Sequence, residues 1–152
     1  MRGGDDGRAE RQPEPGLSAV RTFVVELDMS RTAIADITDE AARFVRGAGD
    51  GLLSVFAPHA TAGLALIETG AGSEADLLEA LGRLLPRDAR YRHQHGSPGH
   101  GVDHLLPALL PPSLTVPVAG GRMLLGTWQR LVLVSLNRDN PGRQVRLSFL
   151  AG

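Results

Sequence analysis

The stretch "SLTVPVAGGRMLLGTWQRLVLVSLN", residues 113–137, decides the fold. It predicts three strands, "SLTVPV" (113–118), "RMLLGTW" (122–128) and "QRLVLVSLN" (129–137). The segment "RLVLVSL" (130–136) is apolar at both odd and even positions, which is typical of a strand covered on both of its faces. The rest of the chain must therefore supply a packing layer on each side of this strand.

Residues upstream and downstream of this stretch predict further strands at 21–29, 51–58, 61–69 and 143–152. Two helices are predicted between them. The first covers 37–49 with Thr38 as its cap, and the second runs from a Ser73 cap, with Asp76 as capping-box partner, to Pro86. Early helices and late strands without a repeating βαβ unit predict a single α+β domain of mixed β-sheets with two main helices.

Residues 1–16, "MRGGDDGRAERQPEPG", are charged and rich in Gly and Pro, which predicts a disordered tail ahead of a domain at 17–152. The net charge is -1 and no apolar run approaches the ~20 residues that a membrane span needs. We therefore expect a cytoplasmic protein with neither nucleic acid nor a membrane as partner.

The sequence lacks two reactive residue types. With no cysteine there is no thiolate ligand or nucleophile, and with no lysine there is no Schiff base or P-loop cation, since all 16 basic residues are arginine. Any chemistry must use histidine, carboxylates, hydroxyls, arginine or a metal.

Four of the five histidines lie in "YRHQHGSPGHGVDH" (91–104): His93, His95, His100 and His104. Imidazole is a common zinc ligand and a proton carrier near neutral pH, but histidine is also an ordinary surface residue. The segment alone is compatible with a site and with a solvated loop. Gly99, Gly101 and Pro107 argue against a helix that would place His100 and His104 on one face.

The motif formed by Ser113, Gly121 and "GTWQ" (126–129) resembles the signature of the YjbQ-like family, UPF0047. The resemblance extends over about residues 18–152. It includes "PHATAGLALIE" (58–68), "YRH" (91–93), "DH" (103–104) and "GRQVRLSFLAG" (142–152). It implies a homotrimeric α+β domain with a divalent metal, zinc or magnesium, near clustered histidines, and a secondary thiamine-phosphate synthase activity.

The resemblance also implies site residues. His59, His93 and His104 are the expected metal ligands in an open three-nitrogen site, whereas His95 and His100 lack counterparts and are expected to face solvent. Expected catalytic residues are Glu68, Asp76 and Gln129. Glu68 ends a strand that is expected to point toward His59, and Asp76 has an equally good structural explanation in its capping box.

The implied substrate is a small phosphorylated molecule: a pyrimidine diphosphate ester is joined to a thiazole phosphate. Arg92, Arg122 and Arg143 are the candidates for holding the leaving diphosphate. Where the family usually has Asn on both sides of its Glu, this chain has Ile67 and Thr69.

Two other functions use the same imidazoles and stay open: a non-catalytic trimeric protein that binds metal or small anions, and a metal-assisted hydrolase in which Glu68 activates water. Trp128 is expected to anchor either the core or a trimer interface.

Overall fold

The computed structural model describes residues 20–88 and 90–152, which form two antiparallel sheets and a layer of helices. The strands are β1 (Arg21–Asp28), β2 (Ile34–Asp36), β3 (Gly51–Phe56), β4 (Ala62–Ile67), β5 (Ser113–Ala119), β6 (Arg122–Met123), β7 (Arg130–Ser135) and β8 (Gly142–Ala151). The helices are α1 (Thr38–Val45), α2 (Ser73–Leu84), α3 (His100–Asp103) and α4 (Leu106–Leu109). The sheet orders are β1-β8-β3-β5-β6 and β2-β7-β4.

Strand β7 joins two hydrophobic clusters. Leu131 and Leu133 pack in the core between the two sheets, whereas Val132 and Val134 pack on the other side with side chains from α2, α3 and α4. All four are fully buried. The prediction of a strand covered on both faces is therefore confirmed, and the domain has three layers: sheet, sheet and helices.

Several predicted boundaries differ from the structure. All six strand pairs within the described ranges are antiparallel, so the expectation of mixed sheets is wrong. The strand predicted at 122–128 is only two residues long, because the chain turns at Gly126, whose N–H donates to Gln129 Oε1 at 2.8 Å. Strand β2 was not predicted, since three residues are too few to show an alternating pattern.

Both predicted helix caps are wrong by one residue. The N-cap of α1 is Ile37, and that of α2 is Gly72, whose φ of 96° is a left-handed conformation that suits glycine. Ser73 is thus the first helical residue, and no capping box with Asp76 forms.

Thr38, the first residue of α1, connects that helix to the central strand. Its Oγ1 donates to Asp36 Oδ1 at 2.6 Å and accepts the N–H of Leu131 at 2.8 Å. The side chain is buried, so this hydroxyl satisfies a backbone donor that water cannot reach.

Replacing Thr38 by valine is expected to lower the free energy of unfolding by about 1–3 kcal/mol, because the buried Leu131 N–H loses its acceptor while the shape is kept. Urea denaturation followed by circular dichroism measures the change. Thr115→Val, on the exposed face of β5, is the matched control. Equal stability of the two variants would contradict the prediction.

The predicted boundary between tail and domain, at residues 16 and 17, lies outside the described residues. Within residues 20–88 and 90–152, no helix has both the length and the apolar character needed to cross a bilayer.

Candidate metal centre

Four histidines converge where the loop after α2 meets α3. His93 and His95 lie in the loop, His100 begins α3, and His104 directly follows it. One potential ligand atom from each of the four lies within 4.8 Å of the others, and the Nε2 atoms of His100 and His104 are 3.0 Å apart. We call this group the histidine cluster.

Helix α3 forms although glycines flank and interrupt it, so the prediction that they prevent a helix here is wrong. Gly99 serves as the N-cap with a φ of 81°. Gly101 lies against the loop, where an added Cβ would be 1.9 Å from the carbonyl oxygen of His93. The two glycines thus allow the helix to start and the loop to pack directly on it, which brings His93 next to His104 with ring centroids 4.4 Å apart.

His100 is 6% exposed, so the expectation that it faces solvent is wrong. Its Nδ1 is 3.1 Å from Asp139 Oδ2 and 3.2 Å from Asn137 Nδ2. The Asn137 amide is oriented by its Oδ1, which accepts the N–H groups of Asp139 and Asn140. Nδ1 can donate to Asp139 in one tautomer or accept from Asn137 in the other. Only the first tautomer leaves the Nε2 lone pair free for a metal.

Electrostatics keeps His104 suited to ligation. Burial first, and then the imidazoles of His93, His100 and His95, lower the pKa of His104 below the usual 6.5. A lower pKa means that the ring is neutral near pH 7 and offers a lone pair. His95, by contrast, is exposed and completes the solvent side of the cluster.

The donor set fits a transition metal. Zn–N bonds of about 2.0–2.1 Å place tetrahedral ligand atoms roughly 3.4 Å apart, so the 4.8 Å spread closes with small side-chain movements. Imidazole nitrogens suit zinc, copper, iron and nickel, whereas magnesium prefers oxygen.

His59, the third predicted ligand, lies outside the cluster but beside it. Its Nε2 is 2.9 Å from the N–H and 3.1 Å from the C=O of Gln144. It lines a pocket of about 440 Å³ together with His95, His100 and His104. Burial, followed by the charge of Arg143, lowers its pKa. Ligation by His59 stays a prediction.

The expected catalytic residues lie at the opposite end of the three-stranded sheet. Strand β4 separates His59 from Glu68, so the expectation that Glu68 lies toward His59 is wrong. Gln129 precedes β7 at the same end, since Ile67 pairs with Arg130 while Ala62 pairs with Ser135. Five residue steps at about 3.4 Å put roughly 17 Å between the two ends.

Asp76 lies in the first turn of α2, also on the far side from the histidine cluster, and is exposed. Trp128 is 70% exposed, which rules out the alternative of a core anchor. The catalytic roles of Glu68, Asp76 and Gln129 stay predictions.

Asn137 and Asp139 are functional candidates that the sequence did not single out. Asn137 was predicted only as the last residue of the strand 129–137, and Asp139 belongs to "RDNPG" (138–142), a segment interpreted only as a turn. A cluster of Asn and Asp directly after a buried strand is the signal that could have found them.

Asp139→Asn is expected to weaken metal binding roughly 10- to 100-fold, because the Asp139 carboxylate accepts both the Ser97 N–H and the proton of His100 Nδ1. Titration with zinc against a competing chelator measures the affinity. Asp50→Asn is the control, since Asp50 also accepts a backbone N–H, from Gly120. An unchanged affinity for Asp139→Asn would show that the carboxylate does not orient His100.

The sequence and the fold of this chain are similar to those of known proteins of one family. A profile described as UPF0047 protein YjbQ-like matches residues 23–152. UPF0047 protein Rv2556c of Mycobacterium tuberculosis is 63% identical over 131 residues, which cover 86% of this chain and 98% of that protein. A UPF0047 protein of Archaeoglobus fulgidus is 37% identical over 115 residues, 76% of this chain and 90% of that protein.

Solved structures share the fold. The hypothetical protein APE1520 from Aeropyrum pernix K1 has a TM-score of 0.74 and 29% identity, covering 89% of this chain and 100% of that one. A YbjQ-like protein of unknown function from Sulfolobus solfataricus P2 has a TM-score of 0.81 at 23% identity, over 88% and 99% of the two chains. The chain belongs to the YjbQ-like UPF0047 family.

Proposed function

We propose that this protein is a metal-dependent enzyme whose histidine cluster holds a divalent transition metal, with zinc as the first candidate. The observation that carries this proposal is the convergence of four imidazoles with ligand atoms within 4.8 Å. Two of them, His100 and His104, are the first residue and the C-cap of α3, while His93 and His95 come from an exposed loop. Exchange of one of the exposed ligands for substrate would open a coordination position.

The reaction that we propose is the one implied by the family resemblance: a pyrimidine diphosphate ester is joined to a thiazole phosphate and pyrophosphate leaves. A bound metal supplies positive charge that stabilises a leaving diphosphate. The protein contributes His104, whose lowered pKa favours the neutral imidazole that a metal needs, and a buried His100 held by Asp139.

Metal analysis of the purified protein, followed by a turnover assay with these two phosphates, tests the proposal. Chelation is expected to abolish turnover and zinc to restore it, and His104→Ala is expected to lose both metal and turnover. Turnover that survives chelation would overturn the metal-dependent mechanism.

A non-catalytic metal-binding protein is the second candidate, and one observation favours it. Four imidazoles fill a tetrahedral site, and sites closed by four protein ligands are typical of structural zinc. Tight zinc binding without turnover on either phosphate supports this candidate. The hydrolase alternative has less support, because Glu68 lies at the other end of β4.

We also propose that the chain acts as a homotrimer. Leu52 and Leu150 are directly paired on the outer face of the five-stranded sheet, where both are half-exposed, and Phe56 and Trp128 are exposed as well. Large exposed apolar groups of this kind favour association. Light scattering is expected to give three times the chain mass, and a monomer at micromolar concentration would contradict it.

In a homotrimer, Glu68, Asp76 and Gln129 can serve a histidine cluster only if a second copy contributes them, because one chain separates the two groups. Mixing the inactive variants His100→Ala and Gln129→Ala tests this arrangement. Partial recovery of activity in the mixed assembly supports shared sites, and no recovery removes these residues from the mechanism.

A further inference from the structure

Arg143, near the start of β8, carries a buried charge that has no paired carboxylate. The side chain is 5% exposed, its Nε donates to Ser135 Oγ at 3.0 Å, and its Nη2 donates to Thr61 Oγ1 at 2.9 Å. Within residues 20–88 and 90–152, no Asp or Glu oxygen forms an ion pair with it. A buried cation held only by hydroxyls is costly unless an anion joins it.

The carboxylate that acts on Arg143, that of Asp103, is already engaged. Asp103 raises the pKa of Arg143, against the larger lowering effect of burial, but its two oxygens bind the guanidinium of Arg87. One carboxylate thus acts on two arginines, and its hydrogen bonds go to Arg87, so Arg143 has no carboxylate of its own among the described residues.

Arg143 faces the 440 Å³ pocket that His59 and Thr61 also line. Among the described residues, every fully buried side-chain nitrogen has a hydrogen-bond partner. Arg143 Nη1 has none there, so this atom is not fully buried and is open to the solvent of the pocket. His100 and His104 form another wall, and none of the lining residues that the structure describes is acidic.

His59 adds a second donor. Its Nε2 lies close to both the N–H and the C=O of Gln144, and the ring can satisfy only one of them. Orphaned backbone N–H groups are rarer than under-satisfied carbonyls, so Nε2 accepts the N–H and the proton resides on Nδ1. No described residue accepts that proton.

We infer that this pocket binds a phosphoryl group, and that the guanidinium of Arg143 and the Nδ1–H of His59 donate hydrogen bonds to its oxygens. The inference deepens the proposed function, since the histidine cluster on the facing wall places a bound metal beside the same group. A planar guanidinium offers two parallel donors to phosphate oxygens, and the pocket accommodates a group larger than a single carboxylate. Arg92 and Arg122, the other arginines considered for this role, are exposed and do not line the pocket.

Calorimetric titration of inorganic phosphate into the full chain, zinc-loaded and after chelation, tests the inference. Arg143→Gln is expected to weaken phosphate binding at least about tenfold, whereas Arg83→Gln, which changes an exposed arginine of α2, is expected to stay within about twofold of wild type. Acetate is expected to bind far more weakly than phosphate.

A measurement on the wild-type protein keeps the inference testable if Arg143→Gln does not fold. In ¹H–¹⁵N NMR, the Arg143 Nε–H and Thr61 amide signals are expected to shift on addition of phosphate. Unchanged signals, wild-type phosphate affinity in Arg143→Gln, or equal binding of acetate would each overturn the inference. If the protein binds phosphate but not zinc, this inference is supported and the proposed metal-dependent function is overturned. If it binds zinc but not phosphate, this inference is overturned and the proposed metal site is supported.

Discussion

Replacing His100 with alanine is expected to weaken zinc binding by roughly a hundredfold or more, the largest loss among the five single histidine variants. His100 is the buried member of the histidine cluster, and its ring is held between Asp139 on one side and His104 on the other. Its loss removes a ligand and also the partner of Asp139. Competition with a chromogenic chelator measures the affinity.

His59→Ala is the discriminating control, because His59 is a predicted ligand that the structure leaves outside the cluster. It is expected to keep zinc affinity close to wild type. A loss in His59→Ala as large as in His100→Ala would show that His59 ligates the metal as predicted, and that His100 joins it. Retained affinity in all five variants would mean that the cluster does not bind the metal.

Gly101→Ala is expected to reduce both zinc affinity and stability. The added Cβ would lie 1.9 Å from the His93 carbonyl oxygen and 3.0 Å from its carbon, which are backbone atoms that cannot rotate away. The loop must then lift off α3 and carry His93 away from His104. We expect a roughly tenfold or greater loss of zinc affinity, measured with the same chelator assay, and a lower melting temperature.

Gly82→Ala provides the matched control, because a Cβ at this exposed position of α2 meets no atom within 4 Å. Alanine there is expected to stabilise the helix by up to about 1 kcal/mol and leave zinc binding unchanged. Wild-type zinc affinity in Gly101→Ala would show that the close contact between the loop and α3 is not needed to assemble the cluster.

The layered fold was predictable because the sequence of β7 is apolar at both odd and even positions, which indicates a strand that is buried on both faces. Alternate residues of a strand point to opposite faces, so an apolar segment such as 131–134 specifies two packing layers without reference to any distant residue. Short elements such as β2 and α3 carry no such pattern and depend on tertiary contacts.

The histidine cluster was only partly predictable. Proximity of His93 and His104 followed from the resemblance, but the position of His100 depends on Gly99 adopting a left-handed conformation and on Asp139, which is distant in sequence. The separation of Glu68 from His59 was available from the sequence, since both flank one predicted strand and a strand's two ends point apart.

Strand β7 contributes alternate side chains to two hydrophobic clusters. Because the two sets of side chains share one backbone, β7 cannot separate from one cluster while it stays packed in the other. Local opening of the helical layer exposes Val132 and Val134, which share one backbone with Leu131 and Leu133. We therefore expect the amide hydrogens of β7 to exchange with solvent only through global unfolding, and the two sheets and the helices to unfold as one cooperative unit.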